Sequence, residues 1–83
     1  NIFDLIEFKV DLYPNPTKDV IYIKKEISEE ITVVIKDVFD RVVHRQISNK
    51  KEFTVDMNDL NSGMYYVIIT SATQANMQKV VKE

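Results

Sequence analysis

Apolar residues recur along the chain mainly with a period of two, in short runs broken by turn-forming residues every ~8 to 12 positions, the rhythm of a β-sandwich or barrel. Phe8, Val10 and Leu12 alternate with Lys9, Asp11 and Tyr13, which predicts a first strand with one dry face, stopped by Pro14. Val20 to Lys24 carries apolar residues on both faces and predicts a second strand. Ile31 to Val38, rich in β-branched residues and with Ile31, Val33 and Ile35 on one side, predicts a central third strand. Val38-Phe39-Asp40-Arg41 supplies a tight turn that returns the chain as Val42 to Ile47, so strands three and four are expected to pair. Phe53, Val55 and Met57 alternate with Thr54 and Asp56 as strand five. Asn58 to Gly63, holding the only glycine, is expected to be a structured loop. Met64 to Ser71 forms strand six and, after the polar link Ala72 to Asn76, Met77 to Lys82 forms strand seven. A helix over Lys36 to Arg45 is the competing reading; its valine and isoleucine content and its period disfavour it.

The 83 residues allow one domain, read as a sandwich over 8–83 preceded by a linker remnant or strand lead-in over 1–7. With 45% hydrophobic and 29% charged residues the chain lies in the globular range and is expected to fold. A formal charge of −2 provides no positive field for a phosphate backbone, so nucleic acid is excluded as a partner. No apolar run approaches the roughly 20 residues of a membrane span, so no membrane insertion is expected. The chain starts at Asn1 without a basic region and apolar stretch; it reads as a fragment whose export signal, if any, lies in sequence beyond it. Absence of cysteine excludes a disulfide framework and a thiolate metal site.

Candidate chemistry is sparse. The single histidine, His44, falls mid-strand with no glycine-rich elbow beside it, so it reads as a surface or rim residue and no catalytic residue is assigned. Asp56, Asn58 and Asp59 resemble the start of a calcium loop but lack its glycine and bidentate glutamate; they read as caps for turn amides, and no metal or cofactor is expected. Tyr13 and Tyr22 flank the proline turn while Tyr65 and Tyr66 point to opposite sides of one strand, which argues against a shared aromatic platform for sugars. The doublets Lys24-Lys25 and Lys50-Lys51 read as solvated charge that discourages edge pairing.

Three segments stand out. Leu12-Tyr13-Pro14-Asn15-Pro16-Thr17 makes a rigid strand exit. The others are Leu60-Asn61-Ser62-Gly63-Met64-Tyr65-Tyr66-Val67 and the final Gln78-Lys79-Val80-Val81-Lys82-Glu83. Tyr65, two positions after Gly63 at a strand entrance, is placed to form a tyrosine corner, its hydroxyl bonding backbone near Leu60.

In order and spacing, over about Leu12 to Glu83, this set resembles the C-terminal sorting domain of proteins exported by the type IX secretion system. Tyr13 to Pro16 match its Tyr-Pro-Asn-Pro turn. Asp37, Arg41 and Val43 match its central strand and turn, and Leu60, Gly63, Tyr65 and Val67 its Leu-x-x-Gly-x-Tyr-x-Val element. Lys79 to Lys82 match its basic-apolar end. Asp40 stands where the family commonly has glycine, so a left-handed turn residue there would be less comfortable, though aspartate tolerates it better than most. The resemblance implies an all-β, immunoglobulin-like antiparallel sandwich of about seven strands following an N-terminal passenger domain. It also implies a non-catalytic sorting signal recognised by type IX translocon, shuttle and sortase proteins. The passenger would cross the periplasm and outer membrane, and a sortase would remove the domain and attach the passenger to the cell surface. On this reading the recognition residues are Pro14, Asn15, Pro16, Gly63, Tyr65, Val67, Lys79, Val80, Val81, Lys82 and Glu83, and the edge of the last strand is expected to contact the machinery by β-augmentation. The alternatives are an adhesion or carbohydrate-binding sandwich of a surface protein, and a structural spacer.

Overall fold

The computed structural model describes residues 6–7, 9–26 and 29–83, the first two by their backbone, and every regular element among them is a strand. These are β1 (Ile6–Glu7), β2 (Val10–Tyr13), β3 (Val20–Lys25), β4 (Ile31–Lys36), β5 (Val42–Ser48), β6 (Glu52–Asp56), β7 (Gly63–Thr70) and β8 (Gln74–Lys82). The helix alternative over Lys36 to Arg45 falls: that stretch is the β4–β5 hairpin. Phe8, assigned by its alternation to the first strand, lies outside the described residues.

Two sheets result, ordered β1-β8-β7-β4-β5 and β2-β3-β6. Neighbours are antiparallel except for the β1–β8 pair, which is parallel over Ile6↔Gln74 and Glu7↔Ala75. The period-two pattern dictates the packing. Ile31, Val33 and Ile35 of β4 and Tyr65, Val67 and Ile69 of β7 point inward against Ile21 and Ile23 of β3 and Val55 of β6, closed at one end by Met57. Ile21, Val33, Ile35, Val55, Met57, Val67, Ile69 and Val80 are wholly buried. Each such side chain contributes roughly 1.5–3 kcal/mol by leaving water, and their number lets so small a chain hold a core.

The margins of the sandwich are bridged by inward-facing amides. On one side the Gln78 Nε2 donates to the Val10 carbonyl at 2.8 Å, tying β8 to β2. On the other the Gln46 Nε2 donates to the Thr54 carbonyl at 3.1 Å, tying β5 to β6, while the Gln46 Oε1 lies 2.9 Å from His44 Nε2.

Some boundaries differ from the expectation for local reasons. β4 ends at Lys36 and not Val38, because the Asp37 side chain takes the amides of the turn. The link before the last strand is shorter than Ala72 to Asn76: the Ser71 Oγ accepts from the amides of Thr73 and Gln74, so Gln74 to Asn76 already belong to β8. Lys25 is a correction of a different kind. It occupies an inward position opposite Val10 and is only 1% exposed, not solvated. Its methylene stem fills the end of the core while its ammonium donates to the Glu29 carbonyl at 3.1 Å. Burial, then the Lys51 charge, lowers its pKa from the usual lysine value against an opposing pull from Glu29.

Candidate functional site

The residues singled out by motif fall at three places, and at each the motif is built into the backbone. The first is the β4–β5 turn. The Asp37 Oδ1 accepts from the amides of Phe39 and Arg41 at 2.8 and 3.0 Å, and its Oδ2 accepts from the Arg41 Nε at 2.8 Å. Burial raises the pKa of this carboxyl, but the bonds from Arg41 and Phe39 and the Arg41 charge outweigh it and hold the group below the ordinary aspartate value. Asp40 has φ 65°, the left-handed conformation expected to be uncomfortable there, and its carboxylate meets the Lys36 ammonium at 3.1 Å. The Arg41 guanidinium lies 5.2 Å from the centre of the exposed Phe39 ring.

The second place is the entrance to β7. The Asp56 Oδ1 accepts from the Asn58 amide at 2.8 Å and the Leu60 amide donates to the Met57 carbonyl at 3.0 Å, so these polar residues cap a turn. The tyrosine corner forms near Leu60 as expected: the Tyr65 hydroxyl donates to the Asn61 carbonyl at 2.6 Å. Gly63 has φ 153°, which L side chains rarely adopt, and nothing lies within 4 Å of where a Cβ would sit. Backbone conformation, not crowding, calls for glycine.

The third place joins the first motif to the last. Among the described residues, β1 covers the outer edge of β8 at Gln74 and Ala75. Further along, the Asn15 side chain takes over: its Nδ2 donates to the Lys79 carbonyl at 2.9 Å and its Oδ1 accepts from the Val81 amide at 3.0 Å. One amide thus supplies the donor and acceptor that a neighbouring strand would supply. Thr17 continues the pairing with its main chain, its amide donating to the Val81 carbonyl at 2.9 Å and its carbonyl accepting from the Glu83 amide at 2.8 Å. Thr17 is itself buried, with its hydroxyl donating to the Val20 carbonyl at 2.8 Å. Both Tyr13–Pro14 and Asn15–Pro16 peptide bonds are cis. Through the Asn15 and Thr17 bonds the proline turn clasps the last strand.

This geometry sorts the recognition residues. Val67 and Val80 have no exposed surface and Tyr65 is 6% exposed, so a partner meeting the folded domain does not reach these side chains; they hold the fold. Lys82 is also buried, its ammonium donating to the Glu83 carbonyl at 3.3 Å. Pro14, Asn15, Pro16, Gly63, Lys79, Val81 and Glu83 remain at the surface. The expected open edge on the last strand is corrected at Lys79, Val81 and Glu83, whose outward main-chain groups are engaged by Asn15 and Thr17.

Two residues escaped the sequence reading. Thr17 was quoted within the first motif but not given a role, and no local signal marks its backbone as a strand partner. Gln78 had a signal: it alternates in phase with Val80, a polar residue on an inward stripe that must find a partner. A further expectation is corrected at Tyr13 and Tyr22. They are directly opposed across β2 and β3, both about half exposed, and their rings stack at 5.6 Å with planes 18° apart. His44 faces inward at the β5–β6 margin and contacts Gln46. Among the described residues no cluster of histidine or carboxylate groups is arranged to hold a metal ion.

The two sheets define an immunoglobulin-like β-sandwich. The structure is similar to the crystal structure of a DUF3244 family protein with that fold from Bacteroides vulgatus, with a TM-score of 0.74 and 15% identity over 95% of this chain and 99% of that one. At that identity the likeness carries the fold alone. No curated protein matches the chain. The family model of the secretion system C-terminal sorting domain matches residues 11–83, from β2 through the clasp to the end of β8, and the chain belongs to that family of type IX sorting domains.

Proposed function

We propose that this domain is the part of a larger exported protein that the type IX translocon and its shuttle recognise, so that an N-terminal passenger crosses the periplasm and outer membrane. A sortase then removes the domain and joins the passenger to the cell surface; the domain itself performs no catalysis. The observation that carries this reading is the family match over residues 11–83, which includes all the motif segments. The geometry supports it, since two of those segments are locked together at the β8 edge. Of the recognition residues, Pro14, Asn15, Pro16, Gly63, Lys79, Val81 and Glu83 offer surface, while Tyr65, Val67, Val80 and Lys82 serve by keeping that surface in shape.

The test is a reporter fused ahead of the chain in a type IX-competent cell. Reporter in the medium or on the surface is the expected result; reporter held in the periplasm behind a folded domain refutes the proposal. Deleting Lys79 to Glu83 is a poor probe, because it takes Val80 out of the core. Point changes at exposed positions separate recognition from folding.

One observation favours a second reading. The stacked, half-exposed Tyr13–Tyr22 pair, with Asp11, Lys24 and Thr54 on the same face, is the kind of surface on which a sugar ring packs. Glycan-array binding abolished by Tyr22→Ala, from a domain that exports nothing, would establish it.

A further inference from the structure

The outward side chains of the large sheet form rows that the strand register makes explicit. Val81 sits beside Met64, and Met77 beside Ile68, which in turn lies beside Val34. The two apolar rows lie on either side of the Lys79–Tyr66–Lys36 row and are joined along β7 by Tyr66. They are open to solvent at the rim, with Met77 63%, Val81 42% and Met64 36% exposed. Apolar surface of this kind on a small domain marks an interaction site.

The charges on the strands of this face are cations, with the acidic Asp40 in the turn and Glu83 just beyond the end of β8. Lys79 and Lys36 flank Tyr66 from either side, and Arg45 lies beside Val34 at the end of the methionine row. On this face the strands β4, β5, β7 and β8 contribute three cations and no carboxylate. Lys36 is answered by Asp40 of the turn at 3.1 Å; among the described residues, Lys79 and Arg45 have no ion-pair partner. The opposite outer face, on the small sheet, carries Asp11, Glu52 and Asp56 against Lys24. Three of the eleven lysines and arginines thus border the apolar rows of one sheet in a chain whose formal charge is −2. Such a surface selects a partner with an apolar centre and acidic margin, by burial at the middle and charge at the rim.

We propose that the outer face of the large sheet is the docking surface for an acidic partner protein of the export machinery. The proposal rests on the sorting function above and names the surface and partner chemistry through which it acts. Side chains alone make this interface, so no main-chain bond of the domain has to break.

The experiment uses the whole chain fused behind a reporter in a type IX-competent cell, with each purified domain checked by thermal unfolding. Met77→Glu places an anion in the patch and is expected to lower the secreted fraction about tenfold with unfolding unchanged. Met77→Lys keeps an apolar stem with a cation at its tip and is expected to lose much less than Met77→Glu, while Asn49→Glu, in the exposed link between β5 and β6, is expected to export as the parent does. The Arg45→Glu, Lys79→Glu pair spares the apolar centre and is expected to match Met77→Glu. Equal effects of glutamate and lysine at position 77, or export untouched by glutamate and by the paired reversal, overturn the acidic partner while leaving sorting intact. A dimer in sedimentation that Met77→Glu abolishes would assign the face to a second copy and also overturn it. A parent chain that fails to export while folded rejects the sorting function and this surface with it.

Discussion

Replacing Asn15 by alanine removes the clasp from the β8 edge without touching the core. The side chain is exposed and makes two bonds to main chain, to the Lys79 carbonyl and from the Val81 amide. A neutral hydrogen bond contributes about 0.5–1.5 kcal/mol net, and the groups released here meet water, so no burial penalty is added and the pair sits at the low end. Asn15→Ala is therefore expected to cost about 1 kcal/mol, which in a domain of this size lowers the melting midpoint by about 4–8 °C. Thermal unfolding followed by circular dichroism reads the first quantity. Amide hydrogen exchange reads the cause: protection is lost at Val81, while Glu83, held by the Thr17 carbonyl, keeps its protection. Asn15→Asp keeps the acceptor and loses the donor, so stability falls but the Val81 amide stays protected. An unchanged midpoint with a protected Val81 amide in the alanine variant would refute the clasp.

Tyr65→Phe deletes the 2.6 Å bond to the Asn61 carbonyl and leaves the ring in the core; a loss of about 1 kcal/mol is expected from the urea midpoint, with the slope unchanged. Asp40→Ala puts a residue with no polar side chain at φ 65° and is expected to cost about 1 kcal/mol in the same assay. Asp40→Gly is expected to be close to neutral, because relief of the backbone offsets glycine's greater entropy and the loss of an exposed ion pair with Lys36. The Asp37 carboxyl has its pKa lowered in the fold, so its contribution is fully present above the ordinary aspartate value and is lost as pH falls through the depressed folded value. Asp37→Asn should flatten the acid limb of the melting midpoint against pH, and an unaltered acid limb would count against the Asp37 network.

Strand identity was legible because the apolar stripe is nearly strict: Ile31, Val33 and Ile35, or Tyr65, Val67 and Ile69, leave no second way to face the core. Where the pattern weakened, so did the reading. Gln74 to Asn76 look like a polar link because that stretch is held by ladder bonds and Ser71, not by apolar side chains. Lys25 looks solvated because composition cannot distinguish a stem that packs from one that waves. The Tyr65 corner was legible because its parts lie within four residues. The clasp was not, because Asn15 and Lys79 are 64 positions apart and only the fold reveals that they are neighbours. The tyrosine pair was missed for the same reason: its members lie on different strands, and register, not sequence distance, brings them together.

The clasp bears differently on two ways in which the last strand could be recognised. β8 is the longest strand, and an open edge of that length would invite pairing with any extended chain. Asn15 and Thr17 occupy four of its outward main-chain groups, at Lys79, Val81 and Glu83. A partner strand adding there would exchange those bonds for equivalent ones and would in addition have to order itself, so the exchange offers no net gain at these positions. A partner laid on the outer face meets Met77, Lys79 and Val81 as side chains and disturbs none of the four. The two routes respond oppositely to Asn15→Ala. Opening the edge should help a strand-adding partner, whereas docking on the face should lose only what the lower stability takes away. Export that rises in that variant would mean the edge is read; export that follows the melting midpoint would place recognition on the face.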